Sequence, residues 1–182
     1  YFRQMKKRLH SFFRVYFLVL LFITASFPAA AQKNRHVLFI SSYGYDWPTV
    51  PLQLQGFAPA LPVDILVDYL FMDSKKYPKD EIWPLFRQRT QLNFKYRGTY
   101  DAVVTGDDNA LRFVLAYRDS MFKDIPVIFE GVDSTALAAQ AHASGKVTGI
   151  IEDHFNADNI ALALLCKKKK KKAVVLTDDT VS

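Results

Sequence analysis

The stretch Tyr-Asp-Ala-Val-Val-Thr-Gly-Asp-Asp-Asn-Ala, residues 100–110, decides the fold. Its first half has strand character and runs through Gly106 into three short polar residues, Asp107, Asp108 and Asn109, after which a helical pattern of apolar residues begins at once. A buried strand that opens directly into a helix predicts a βα corner. Asp and Asn are favoured helix N-caps because their side-chain oxygens accept the first free N–H groups, so we predict that this polar triplet caps the helix.

The same alternation continues on both sides of this corner. We predict strands at residues 35–42, 63–71, 101–105, 125–132 and 147–153, the start of a sixth at 173–176, and helices at 49–61, 79–97, 109–121, 134–143 and 159–166. Strands that alternate with helices in this way are typical of a parallel sheet. The sequence therefore predicts an α/β fold, with a parallel sheet flanked by helices.

The net charge of +6 is concentrated in two segments. Residues 1–31 carry five basic residues and no acid, and Lys167–Lys172 carry six more, so 13 basic residues face 18 acidic ones in the rest of the chain. Nucleic-acid binding needs Lys and Arg clustered on one face, so we predict no nucleic-acid partner. The single cysteine, Cys166, excludes an internal disulfide.

The first 31 residues have the order of a secretory signal peptide. We take Met5 as the initiator, with residues 1–4 upstream of it; a basic segment follows, then an apolar run at 15–27, and Ala29 and Ala31 match the small-x-small cleavage rule. A run of about 13 residues is short of the about 20 that span a bilayer, so we predict cleavage after Ala31. An uncleaved anchor is the alternative, and either outcome predicts a periplasmic or other extracytoplasmic location.

Polar residues follow most of the predicted strands, and the carboxyl ends of parallel strands lie at one edge of a sheet. These clusters are Ser41-Ser42-Tyr43, Asp107-Asp108-Asn109, Glu130 and Glu152-Asp153-His154. Free N–H groups at helix starts attract carboxylates or phosphates, and acidic side chains attract amines or sugar hydroxyls. Tyr43, Tyr45 and Trp47 suit either stacking on a ligand or packing over their own loop. We therefore expect a small-molecule site at this edge.

Catalytic and cofactor signatures are absent from the sequence. It contains no Gly-x-Gly-x-x-Gly corner, no phosphate-binding P-loop motif and no Gly-x-Ser-x-Gly elbow, and Ser41 and Ser42 have no evident base nearby. Acids such as Asp107 and Glu152 are of the type that hard cations prefer, but the four histidines show no metal-ligand spacing. We therefore predict a protein that is not an enzyme and has no metal and no cofactor.

Several blocks of sequence, in order, resemble the ABC-transporter substrate-binding-protein-like family. They are Val-Leu-Phe-Ile-Ser-Ser-Tyr (37–43) with Trp47, residues 100–110, Tyr-Arg-Asp-Ser-Met-Phe (117–122), Ile-Pro-Val-Ile-Phe-Glu-Gly-Val (125–132) and Val-Thr-Gly-Ile-Ile-Glu-Asp (147–153). Members have type 1 periplasmic-binding folds, and they occur as free solute receptors and as sensor regions of bacterial histidine kinases and diguanylate cyclases. The amino-acid sequence of these blocks is more similar to the sensor branch.

The resemblance implies two α/β lobes that close on a small ligand. It places the first lobe at 35–153 and a crossover helix with the first strand of a second lobe at 154–182, most of which would lie beyond Ser182. It assigns ligand contacts to the first lobe, and with the strand-end pattern the candidates are Ser41, Ser42, Tyr43, Trp47, Asp107, Asp108, Asn109, Glu130, Gly131, Val132 and Glu152. Lys167–Lys172 replaces the Pro-containing turn that is usual before that strand.

Two functions follow from this resemblance as expectations. The first is a sensor input domain, whose closure on an amino acid or similar metabolite biases a membrane-attached kinase or cyclase. The second is a free periplasmic solute-binding protein that delivers its ligand to an ABC permease. The segment that follows Ser182 in the complete gene separates the two, because a sensor continues into a transmembrane helix and an output domain.

Overall fold

The computed structural model describes residues 34–153 and 156–166, together with Tyr16. The chain divides into two compact units, residues 1–33 and 34–182, and every element below belongs to the second. The predicted signal peptide, Tyr16 apart, the six lysines and the predicted strand at 173–176 lie outside the described residues.

Strands and helices alternate as the sequence predicts. Their order is β1 (Arg35–Ser41), α1 (Val50–Ala60), β2 (Ile65–Phe71), α2 (Lys79–Arg97), β3 (Ala102–Gly106), α3 (Asp107–Ala116), α4 (Arg118–Met121), β4 (Val127–Val132), α5 (Thr135–Ala143), β5 (Val147–Ile151) and α6 (Asn156–Cys166). The described strands form one sheet in the order β2-β1-β3-β4-β5, and every neighbouring pair is parallel. The predicted α/β fold with a helix-flanked parallel sheet is confirmed, and it is consistent with one lobe of a periplasmic-binding-like protein.

The hydrophobic core lies on both faces of the sheet. One face packs Leu38, Ile40 and Val103 under side chains of α2, α3 and α5. The opposite face packs Phe39 and Val104 under α1. Because successive strand residues point to opposite faces, β1 needs apolar side chains at almost every position.

Helix α1 forms in spite of two prolines. The sequence predicts a weak helix at 49–61, damaged by Pro51 and Pro59, whereas the structure has a continuous helix over Val50–Ala60. Pro51 lies in the first turn, where a backbone N–H has no intrahelical acceptor, and Pro59 lies in the last turn. Pro51 therefore removes no intrahelical hydrogen bond, and Pro59 removes only the bond that a backbone N–H there would donate to the Gln55 carbonyl oxygen.

The helix predicted at 109–121 is two helices, because the chain leaves the helical conformation at Tyr117. Arg118 follows, and its buried guanidinium donates to the carbonyl oxygens of Phe122 at 2.6 Å, Ile125 at 2.7 Å and Gly145 at 3.2 Å. These bonds satisfy carbonyls that no helix or strand pairs, and they join α4 to the loop that follows α5.

Candidate functional site

Polar strand ends gather at the carboxyl edge of the sheet, as predicted. Ser41 pairs with Gly106, and Gly106 pairs with Glu130, so the ends of β1, β3 and β4 lie side by side. The chain leaves β1 towards β2 on one side and returns to β3 on the other. Loops diverge at such a switch point and leave a crevice, which is the usual ligand position in open parallel sheets.

Ser42 closes the first turn of α3. Its Oγ donates to the Gly106 carbonyl at 2.8 Å and accepts from the Ala110 N–H at 2.8 Å, so the hydroxyl bridges the two groups that an ordinary first-turn bond would join. The prediction that the polar triplet caps this helix was wrong. The N-cap is Gly106, which has no side chain to bond the first turn. The strand runs through Gly106, which moves Asp107 to the first helical position.

Asp108 is buried and holds a loop against a helix. One of its carboxylate oxygens accepts from the backbone N–H of Asp133 at 3.0 Å, and the other accepts from Arg112 at 3.1 Å. The charge of Asp108 is thereby used to fasten the β4–α5 loop to α3.

Three more predicted contacts face inward or join loops. The Ser41 hydroxyl accepts from the Tyr43 N–H at 3.2 Å, Asn109 donates to the Ser74 hydroxyl at 3.3 Å, and Val132 lies in the core. Ser41, Ser42 and Val132 are fully enclosed. Their contribution to a site is to position the loops around it.

Asp107 points differently from its neighbours, because its backbone is left-handed, with φ of 68°. Its carboxylate accepts a hydrogen bond from the Tyr43 hydroxyl. Burial raises the pKa of Asp107 to about 7; the Tyr43 bond opposes this rise, and the charges of Glu152, Asp133 and Glu130 add to it. Asp107 therefore changes charge near neutral pH.

Gly131 lies beside two of these acids, and its positive φ favours glycine at this position. Its φ is 63°, and a Cβ added there would lie 3.6 Å from Asp107 Oδ1 and 3.8 Å from Glu152 Oε2. The pKa of Glu130 is raised by its burial, against a hydrogen bond from Gln53. Glu130 Oε1 is buried and has no hydrogen-bond partner among the described residues. We call Asp107, Glu130, Asp133 and Glu152 the carboxylate cluster.

An aromatic pair lies beside the cluster. The rings of Tyr43 and Trp47 are 5.5 Å apart, and Lys75 Nζ lies 5.4 Å and 5.6 Å from their centroids. Burial, followed by the charge of Asp107, raises the pKa of Tyr43, so its hydroxyl stays protonated and donates to Asp107. The pair accommodates an ammonium group, since Lys75 already places one there.

Of the predicted residues, the structure brings Tyr43, Trp47, Asp107, Glu130 and Glu152 together at the carboxyl edge, with Gly131 beside two of the acids. Tyr43 is itself buried, and Trp47 is the partly exposed ring of the pair. Sequence reasoning missed Gln53, Lys75 and Asp133 as neighbours of this edge. Lys75 and Asp133 lie in the loops that directly follow β2 and β4, whereas Gln53 lies in the first turn of α1. The position directly after a strand could have indicated Lys75 and Asp133 from the sequence. Residue type alone could not have indicated any of the three.

No group of three or more His, Cys, Asp or Glu side chains in the described part of the chain is arranged to hold a metal ion. Within that same part, no helix has the length and apolar character needed to cross a membrane. Comparisons of the chain with protein-family models, with curated proteins and with solved structures find no match.

Proposed function

We propose that this chain is an extracytoplasmic ligand-binding domain that serves as the sensor input of a bacterial signalling protein. Its ligand is a small amine, such as an amino acid or similar metabolite, bound at the carboxyl edge where β1, β3 and β4 end. The parallel sheet, whose connections diverge at the switch point between β1 and β3, supports a small-molecule site there. The signal-like first 31 residues support export.

The carboxylate cluster is the observation that carries the amine proposal. Burial, and after it the charges of the neighbouring carboxylates, disfavours the ionised form of Asp107 in the empty site, and a ligand ammonium group offsets both effects. Glu130 Oε1 also needs a donor, because a buried acceptor without one is costly. A ligand ammonium supplies both the charge and the N–H donors.

The aromatic pair supports a ligand that carries a ring or an apolar side chain. Tyr43 and Trp47 stand next to the carboxylate cluster through the hydrogen bond between Tyr43 and Asp107. A ligand with its amine on the cluster would place its side chain against these rings, where aromatic faces favour apolar and cationic groups.

Thermal-shift measurements with matched probes test the site. We expect phenylalanine and phenethylamine to raise the melting temperature of the protein, because a ligand that binds only the folded state stabilises it by mass action. We expect 3-phenylpropanoate, which has the ring and carboxylate but no amine, to leave the melting temperature unchanged. Equal stabilisation by all three probes, or by the propanoate alone, would contradict the amine assignment.

Two variants locate the binding. Asp107→Asn should abolish the stabilisation by phenethylamine, while Asp119→Asn, an exposed acid on α4 away from the edge, should retain it. If both variants respond as the unmodified protein does, the ligand binds elsewhere.

The signalling role is tested separately in the full-length gene product. We expect the reading frame to continue into a second lobe, a membrane-spanning segment and a kinase or cyclase domain, whose activity changes with the same amine probe. A stop codon directly after a second lobe would instead identify a transporter component.

A further inference from the structure

Helix α2 exposes large apolar side chains on its outer face. Its inner face is anchored in the core by Phe86, and Thr90 is buried beside it. On the outside, Leu85, Leu92 and Tyr96 are 62%, 52% and 76% exposed. Residues spaced by seven and four lie on one side of a helix, so these three form a row that we call the apolar stripe, with the polar Gln88 and Arg89 between Leu85 and Leu92. Solvent-facing helix surfaces are ordinarily polar, and the stripe therefore calls for a partner.

The stripe has a spacing that reads the same in both directions. Glu81, Leu85, Leu92 and Tyr96 follow one another at intervals of four, seven and four residues. The pattern is centred between residues 88 and 89. A second α2 laid antiparallel about this centre places Leu85 against Leu92 of the other copy, and Glu81 against Tyr96 of the other copy.

The charges of the helix have the same self-complementarity. The first turn carries Asp80 and Glu81, and the last turn carries Lys95 and Arg97. These charges suit the helix dipole within one copy. In an antiparallel pair, they also bring the acidic end of each copy to the basic end of the other, where Glu81 meets the Tyr96 hydroxyl and the Lys95 ammonium, which lies 5.3 Å from the Tyr96 ring.

We propose that the outer face of α2 is a self-association surface, on which a second copy of this chain pairs through its own α2 in antiparallel orientation. The contact is isologous, so each copy supplies the same residues and the assembly closes as a dimer. This inference is independent of ligand binding, because no residue of the apolar stripe belongs to the carboxylate cluster or to the aromatic pair.

The dimer is expected to be weak. One helix face is smaller than the about 800 Å² per partner of a standard interface. The two-fold axis of the pair passes between residues 88 and 89, so the Arg89 side chains of the two copies lie on either side of it. Their like charges oppose association. We therefore expect a dissociation constant in the micromolar range or above.

Sedimentation equilibrium of the full chain, from low micromolar to near-millimolar concentration, tests the proposal. We expect a monomer–dimer equilibrium, and we expect Leu92→Glu to raise the dissociation constant by about tenfold or more, because the dimer would bury a carboxylate against an apolar side chain of the other copy. Gln91→Glu is the matched control: it adds the same charge to the same helix, one residue away and off the stripe, and should leave the equilibrium nearly unchanged.

A charge exchange tests the antiparallel orientation without altering the apolar stripe. Glu81→Lys and Lys95→Glu should each weaken the dimer, and the double variant should restore it, because only then does each end again meet the opposite charge. A protein that stays monomeric throughout, or an association that Leu92→Glu leaves unchanged, would overturn the proposed surface. A double variant no tighter than the single ones would overturn the antiparallel pairing.

Discussion

At the scale of single residues, Asp107 and Asp108 show how adjacent acids acquire different roles. Asp108 is enclosed and bonded to backbone N–H groups and to Arg112, which keeps its charge compensated. Asp107, in a left-handed conformation, is directed at Tyr43 and at other carboxylates. Asp and Asn adopt this conformation more readily than other non-glycine residues, so the position suits its occupant.

The pKa of Asp107 predicts a pH-dependent effect of Asp107→Asn on stability. The folded-state pKa, about 7, lies above the ordinary value of 3.8, so the folded protein favours the protonated acid. The corresponding stability is fully present below the unfolded-state pKa and is lost as pH rises through about 7. Asparagine keeps the backbone conformation and carries no charge. We therefore expect the melting temperature of Asp107→Asn, relative to the unmodified protein, to increase from mildly acidic to mildly alkaline pH; a constant difference would contradict the raised pKa.

Two buried hydroxyls provide a second residue-scale prediction. Ser42→Ala removes one donor and one acceptor from the first turn of α3, and we expect it to lower the free energy of unfolding by about 1–3 kcal/mol. Thr105 is equally buried, but its hydroxyl has no partner among the described residues, so Thr105→Val should be neutral or stabilising. Urea denaturation measures both, and equal losses would show that the bonds of Ser42 contribute nothing.

At the scale of elements, the β4–β5 pair departs from a regular ladder. The register shifts between Phe129 and Val132, at the point where Gly131 takes a positive φ. This irregularity turns the end of β4 so that Glu130 and the following loop approach Asp107. Opposite it, Gly149 allows a close approach of the two backbones, since an added Cβ would collide with the Phe129 carbonyl oxygen.

Gly149→Ala should therefore destabilise the sheet. The obstructing atom belongs to the backbone and cannot rotate aside, so we expect a loss of about 1–3 kcal/mol by urea denaturation. Gly56→Ala is the contrasting variant: no atom lies within 4 Å of the added Cβ in α1, and alanine should stabilise the helix interior by about 0.5–1 kcal/mol. A stabilising Gly149→Ala would contradict the close approach.

At the scale of the whole molecule, the topology decides which surfaces are covered. Crossovers to β3, β4 and β5 put α2, α3 and α5 on one face, while α1 covers the other face near β1 and β2. Ile128 and Ile150 on β4 and β5 consequently stay exposed. Connections between distant segments then depend on side chains such as Arg118.

Arg118→Met tests this long-range connection. Methionine fills much of the same volume but leaves the carbonyl oxygens of Phe122, Ile125 and Gly145 without their charged donor, so we expect a loss of about 2–4 kcal/mol in the free energy of unfolding. Lys146→Met, which breaks the exposed pair with Asp124, should cost less than about 1 kcal/mol. Similar losses from both variants would show that burial of Arg118 adds nothing.

The sequence by itself determined the fold class and most element positions. Apolar runs and helical periods are local signals. Where a proline or a glycine bounds them, the predicted and observed ends of an element coincide: α2 begins after Pro78 and ends before Gly98, at the predicted bounds Lys79 and Arg97. The gathering of strand ends at one edge also followed from the alternation of elements, because parallel strands leave no other arrangement.

Only the tertiary structure decided which polar residues face that edge. Asp107 and Asp108 are adjacent acids, so the sequence does not distinguish them. Their different directions depend on the backbone angle of Asp107 and on partners in other loops. The helix cap likewise comes from Ser42, 68 residues before Ala110. Short-range propensities cannot specify such contacts, because the partners meet only after the sheet has set its strand order and register.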